Sequence, residues 1–299
     1  MIKPQFLQKG DKIAIVSIAG KIAKEKVLNA VKFYESWGLE VVLGESVFAE
    51  FNQFAGTDEQ RIADFQKMLN DNSIKAIFSS RGGYGSARVL DKIDWTNFKK
   101  NPKWIVGYSD ITAVHAVVNK FGIASIHGNM PTNFDEFPNE NFANKNLKKM
   151  LFGEKMNFEF NSHKLNKTGN AKGVLIGGNL SILYSLRGTK FDVDYTDKIL
   201  FIEDLNEYLY HLDRMMMNFK LGGIFSQIRG LIVGAFSDMK DSQTPFGKDA
   251  NGIILEFVKD LNIPVCFDFS AGHIKENFPL ILGCEIEFVV GEKTSEIDF

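Results

Sequence analysis

A chain of 299 residues exceeds the usual size of a single core, so two domains are expected. Hydrophobic residues at 44% and charged residues at 24% describe an ordinary soluble globular protein. A net charge of -2 gives no electrostatic reason to invoke nucleic acid or an anionic membrane.

No apolar run is long enough to span a bilayer, so no membrane partner is expected. The N-terminus, MIKPQFLQKGDKIAIVS, has an early lysine but no apolar core ahead of a small-residue cleavage site. A cytoplasmic protein is expected. From there, KIAIVSI (12–18) reads as a short buried strand. A helix through about Trp37 carries Val27, Ala30, Val31 and Tyr34 at helical spacing, and Gly38 ends it. LEVVLG is the second strand. TDEQRIADFQKMLND opens with Thr57 and has Gln60 three residues on, a capping box. IKAIFSS (74–80), a glycine-rich turn and a short helix then lead to a strand at Trp104. Strands separated by single helices predict an α/β domain: a parallel sheet with helices on both faces. Ligands of such sheets bind beyond the carboxyl ends of the strands, where the glycine turn and the corner after the Trp104 strand both lie.

Residues 1–132 thus form an N-terminal domain. From 133 to 170 the texture changes to Asn, Lys and Phe with weak periodicity, an interdomain connection with one helix near NKNLKKMLFG. Residues 171–299 read as a second α/β domain richer in β structure. It holds GVLIGGNLSIL, KILFIEDL, a Met-rich helix (Leu212 to Leu221), GLIVGAF, and a helix near Ile253 to Leu261. The closing strands are IPVCFDF and PLILGCEIEFVV. Met215, Met216 and Met217 are expected to pack in the core. Cys266 and Cys284 sit in apolar, strand-like runs and read as small core residues. Two distant cysteines make a poor metal site, and no HExxH occurs.

In WIVGYSDITAVHAVV (104–118) a strand passes into a helix with no loop between, and Ser109 stands at the corner. One reading is a helix cap, in which Ser109 accepts from a free amide of the first turn. The other is a nucleophile elbow, a strained turn that raises a serine hydroxyl above the sheet beside free amides at a positive dipole end. The usual elbow has a second glycine two residues after the serine, where this chain has Ile111.

A nucleophilic serine needs a base, and the base needs an orienting group. The chain has five histidines. His115 lies about 240° round the helix from Ser109 and reads as a packed residue. His163 and His211 read as surface residues. His127 follows a short strand and could reach the edge of a site. His273 follows FDFSAG, a strand running into a small-residue turn that can present an imidazole; a packed histidine is the alternative. For the orienting acid, Glu203 and Asp204 end an apolar strand where a carboxylate needs a partner. Alternation sends them to opposite faces, and sequence does not choose between them.

The glycine turn SSRGGYGSARVL has two glycines, Gly83 and Gly85, of a dinucleotide fingerprint. The third position is Arg88, the unit is not the first βα, and no Walker lysine follows, so nucleotide binding is not expected. Its glycines do let backbone amides approach a ligand, as an oxyanion donor beside Ser109 would.

SSRGGYG, GYSDIT, IHGNM, GGNLSIL, FIEDLNEYLYHLDRM, GLIVGAF and AGHIKENFPLILG, in that order and over nearly the whole chain, resemble the LD-carboxypeptidase (muramoyltetrapeptide carboxypeptidase) family. The resemblance implies a serine peptidase with a Ser-Glu-His triad: Ser109 in GYSD as nucleophile, Glu203 in IED as acid, His273 in AGH as base. It implies an oxyanion hole of backbone amides at Gly83 and Asp110. It also implies the serine in the first domain and the other two in the second, a homodimer, and no metal or cofactor. The implied substrate is a murein tetrapeptide that loses its terminal D-alanine in cell-wall recycling. The alternatives are a microcin-type immunity peptidase that cleaves peptidyl-adenylate conjugates, and a non-catalytic peptidoglycan-fragment binder on the same fold. A missing triad residue would favour the binder, and none is missing. Arg81, beside the glycine turn, is the candidate for the terminal carboxylate, since a planar guanidinium suits it; an ordinary salt bridge is the alternative. Two departures concern the outer wall: Asn129 follows His127-Gly128 where the family usually has proline, and the first strand ends in SIAG rather than a proline-serine turn.

Overall fold

The computed structural model describes residues 1–134 and 141–299. It divides into two compact units, Met1–Lys155 with Phe278–Ile281, and Met156–Asn277 with Leu282–Phe299.

The first unit alternates strand and helix: β1 (Lys12–Val16), α1 (Lys24–Ser36), β2 (Glu40–Leu43), α2 (Asp58–Asn70), β3 (Ile74–Ser79), α3 (Thr96–Lys100), β4 (Trp104–Gly107), α4 (Thr112–Lys120), β5 (Ser125–His127) and α5 (Phe142–Leu151). Strands β2, β1, β3, β4 and β5 are parallel neighbours in that order. In β1, β3 and β4 successive residues are buried, as a sheet covered on both faces requires. Helix α1 buries Val27, Ala30, Phe33 and Tyr34, while Val31 is only half-buried, so its apolar stripe lies one residue further round than expected. Phe33, Tyr34, Trp37, Phe78 and Phe134 form one aromatic cluster. Gly38 ends α1 at φ +86°, and Thr57 and Gln60 form the capping box of α2.

In the second unit, β6 (Asn157–Asn161) precedes β7 (Gly169–Asn179), α6 (Leu180–Leu186), β8 (Lys198–Leu205), α7 (Leu209–Leu221), β9 (Gly230–Ser237), α8 (Ala250–Val258) and β10 (Val265–Cys266). After β11 (Leu280–Leu282) come β12 (Cys284–Val290) and β13 (Thr294–Asp298). Its seven-stranded sheet runs β10-β9-β8-β7-β12-β13-β6. The first four strands are parallel and the last three join antiparallel. The core packs Leu212, Met215, Met216 and Phe219 of α7 and Ile253, Ile254 and Val258 of α8 on Leu200, Ile202, Leu231 and Val233.

Several elements differ from the sequence reading. Helices α7 and α8 each begin three residues earlier than expected. Met217 is exposed, because three consecutive helical residues sweep about 200° and only two can face one core. Residues 133–170 hold α5 and also β6, which weak periodicity concealed; residues 135–140 of that segment lie outside the described residues. Strand β11, read as part of the second domain, is the edge strand of the first sheet beside β5. Both cysteines are buried and unpaired.

Candidate active site

The corner after β4 is built by one glycine and one strained serine. Tyr108 is extended, Ser109 has φ +63°, and a single 3₁₀ turn over Ser109–Ile111 runs into α4. A non-glycine residue in that left-handed region costs on the order of 1–3 kcal/mol, which the surrounding packing must offset. Tyr108 occupies the cap position, so Ser109 stands inside the first turn rather than ahead of it. A Cβ on Gly107 would lie 3.0–3.2 Å from the side chain of Ile111. Ile111 therefore fills the space that Gly107 leaves, and this corner does without the elbow's second glycine.

The glycine turn lies against the same corner. A Cβ on Gly82 would sit 2.9 Å from Ser109 Cβ, 3.0 Å from its Oγ and 3.4 Å from the Asp110 amide nitrogen. Gly83 has φ +96° and Gly85 φ +136°. The Gly20 amide donates to Gly82 O at 3.0 Å. Ser86 donates from its amide to Asp110 Oδ2 at 2.8 Å and from Oγ to Asp110 O at 2.6 Å. Burial pushes the Asp110 carboxyl up, opposed by donors from Ser86 and Gly85 and by the charge of Arg61. Arg81 is exposed, and its Nη1 donates to Lys21 O at 2.8 Å rather than to a carboxylate. Arg61, Ser86 and the Asp110 side chain escaped the sequence reading; their signal is a charged or hydroxyl side chain in an apolar pattern.

In the second unit, Glu203 is fully buried and His273 Nδ1–H donates to its Oε2 at 2.7 Å. The other carboxylate oxygen has no hydrogen-bond partner among the described residues. Close approach requires Gly272, at φ +122°, because a Cβ there would lie 2.8 Å from Glu203 Oε2. The loop is tied down by Ala235 N to Ala271 O at 2.9 Å, Gly272 N to Asn277 Oδ1 at 2.8 Å, and Ser237 Oγ to His273 O at 3.1 Å. Burial alone would lower the His273 pKa. The hydrogen bond to Glu203 and the charges of Glu203 and Asp204 outweigh it, so the pKa lies above the ordinary histidine value. With its proton held on Nδ1, the ring carries its lone pair on Nε2.

Asp204 is engaged elsewhere. It accepts from Asn179 Nδ2, the Ser181 amide and its neighbour's amide at Leu205, each at 2.9 Å, and so anchors the start of α6. Burial, then the charge of Glu203, pushes its pKa up to about 7.

The remaining histidines separate by environment. His115 is buried, donating from Nε2 to Gly107 O and accepting at Nδ1 from Ser125 Oγ, both at 2.9 Å. Burial lowers its pKa to about 4. His127 ends β5 rather than following it and is buried, its ring 5.6 Å from that of Tyr108. His163 is half-buried near Asp268, and His211 pairs with Glu207 at 2.5 Å. The structure thus brings Glu203 and His273 together in the second unit, and Ser109, Asp110 and the glycine turn together in the first. Among the described residues no group of three or more His, Cys, Asp or Glu is placed to hold a metal, and no helix is long and apolar enough to cross a membrane.

Comparison with known proteins adds the family. Residues 13–128 match the LD-carboxypeptidase N-terminal domain and residues 172–288 its C-terminal domain. A probable murein peptide carboxypeptidase of Bacillus subtilis is 31% identical over 99% of this chain and 94% of its own. The crystal structure of muramoyltetrapeptide carboxypeptidase from Oxalobacter formigenes aligns with a TM-score of 0.87 at 27% identity, over 96% of this chain and 98% of that one. The microcin C7 self immunity protein MccF, in complex with aspartyl sulfamoyl adenosine, aligns at 0.89 over 100% and 99%, and at 23% identity it attests the shared fold. With both domain models matched in order along a chain of mixed α/β fold, this protein belongs to the LD-carboxypeptidase family of peptidases.

Proposed function

We propose that the protein is a serine carboxypeptidase that releases the terminal D-alanine from a murein tetrapeptide. The Glu203–His273 hydrogen bond is the observation that carries the reading, because it fixes the tautomer a general base needs. Ser109 attacks the scissile carbonyl, and His273 Nε2 takes the hydroxyl proton and returns it to the leaving amine. The charge on the tetrahedral oxygen falls to the backbone amides of Gly83 and Asp110. The strained backbone of Ser109 supports the nucleophile role, since such strain concentrates at functional positions. Arg81 receives the terminal carboxylate, exchanging its bond to a backbone carbonyl for a charged partner. The same reading carries the expectations of a cytoplasmic enzyme and of a homodimer, the latter checked by sedimentation of the whole chain.

Release of D-alanine from a muramoyl tetrapeptide tests the reaction. Ser109→Ala should keep its circular dichroism and lose turnover by about 10⁶-fold, as for a triad serine elsewhere. A tenth of wild-type turnover in that variant would overturn the mechanism. In the same assay Arg81→Lys should weaken binding of the free-carboxylate substrate, whereas a C-terminally amidated substrate should be equally poor for both proteins. A peptidyl-adenylate offered in parallel distinguishes murein processing from the microcin-type reaction.

A further inference from the structure

Arg61 is a fully buried guanidinium on α2; both its Nη atoms have partners, while its Nε has none among the described residues, so the Nη bonds carry the burial of the charge. Its Nη2 pairs with Asp58, which also binds Arg88. Its Nη1 donates to Ile18 O at 2.6 Å and to Gly85 O at 2.9 Å. The guanidinium also lies over the Phe54 ring, 5.0 Å from its centroid. A Cβ on Gly85, which has φ +136°, would come within 2.6 Å of Nη1, so the present position of the guanidinium uses the space that this glycine leaves.

Gly85 C=O and Ser86 N–H are the two ends of one peptide group. Arg61 holds its oxygen and Asp110 Oδ2 holds its N–H, so the peptide dipole lies between a buried cation and a buried carboxyl group. Rotation of that peptide would break both bonds and take further partners from two buried groups, Arg61 and the Asp110 carboxyl, which already hold one unpartnered atom each among the described residues. The opposite end of the turn is pinned at Gly82 O by the Gly20 amide. Glycines between the two ends make many backbone shapes accessible, and an oxyanion donor works only if one shape is set before the reaction.

We propose that Arg61 and Asp110 are positioning residues for the acylation step, gripping the Gly85–Ser86 peptide from both sides and so fixing the glycine turn against Ser109. The proposal rests on the serine-peptidase reading and names what holds its oxyanion donors in place.

A fluorophosphonate probe tests both and separates them. Ser109 Oγ bonds to phosphorus, fluoride leaves, and the hydroxyl proton passes to the base. Mass spectrometry should find the adduct on Ser109 in the wild type and none in Ser109→Ala; failure here overturns the serine reading and the proposal with it. Where the wild type reacts, Asp110→Ala should slow labelling and lower kcat about 10²-fold with KM nearly unchanged, comparable to losing an oxyanion donor. Asp110→Asn, which keeps an acceptor for the Ser86 amide, should recover most of the loss. Arg61→Lys should lower kcat in the same way. Should the Arg61 and Asp110 variants not fold, Ser86→Ala removes the Oγ bond alone and should lower kcat about tenfold, with Ser86→Thr restoring it. Wild-type labelling rates in folded Asp110→Ala or Ser86→Ala would overturn the proposal.

Discussion

A carboxylate buried in a strand must find donors, and Glu203 and Asp204 find different ones. Glu203 meets the imidazole of His273, whereas Asp204 meets the amides that open α6. Glu203→Gln can donate where the carboxylate accepts, which favours the wrong tautomer of His273. Turnover should fall about 10⁴-fold, as for the acid-to-amide change in a serine protease triad. Asp204→Asn should cost much less, and both proteins should keep their circular dichroism. If folded Asp204→Asn were the more damaged, the roles would be reversed. The same pair sets a pH dependence. In the proposed mechanism His273 must be neutral to act as base, so kcat/KM should rise with pH through its pKa, which Glu203 and Asp204 hold above the ordinary value. Loss of the Glu203 charge disfavours the imidazolium, so the residual activity of Glu203→Gln should begin to rise at lower pH. An acid limb that moves upward would contradict this assignment.

At the scale of elements, the corner between β4 and α4 depends on a close fit. A methyl group on Gly107 meets Ile111 at 3.0–3.2 Å, so Gly107→Ala should overpack the turn and destabilise by about 1–3 kcal/mol. Ile111→Ala should destabilise by leaving a cavity. Combined, the two should cost less than their sum, because the truncated side chain makes room for the new methyl. Additive losses in urea denaturation would show that the two residues are not coupled. His115 supports the same corner through its bond to Gly107 O, so the strand end and the helix are joined by both packing and a buried hydrogen bond. At the helix starts, hydrophobic spacing marks α8 from Ile253, but the helix begins at Ala250, where Asp249 Oδ1 accepts from the Gly252 amide at 2.7 Å. Capping chemistry, not apolar periodicity, sets that boundary.

For the whole molecule, the first sheet is not completed by the first part of the chain. Strand β11, more than 150 residues after β5, supplies its edge. Pro279 packs on Gly128, and Phe278 lies 4.8 Å from the ring of Phe142. A fragment ending at Lys155 therefore leaves β5 with an unpaired edge and an uncovered apolar patch. It should associate on size exclusion and unfold at lower temperature than the first unit within the full chain. A monodisperse fragment of undiminished melting temperature would show that β11 is dispensable.

Local chemistry was legible in the sequence where its cause is local. The strand-to-helix corner at Ser109, the capping box of Thr57 and Gln60, the glycine stop at Gly38 and the βα alternation each depend on residues a few positions apart. The order of the motif blocks added the family and a candidate triad. Partners distant in the chain were not legible from local pattern. Glu203 reaches His273 across 70 residues, Arg61 reaches Ile18 across 43, and β11 returns to β5, because packing and loop closure bring them together. No propensity or spacing encodes such a meeting. The sequence by itself determined the locally coded elements and, through the motif blocks, a candidate triad. Only the tertiary structure decided that Glu203 rather than Asp204 meets His273 and that buried Arg61 and Asp110 meet the glycine turn, because such partners come together only when distant segments pack.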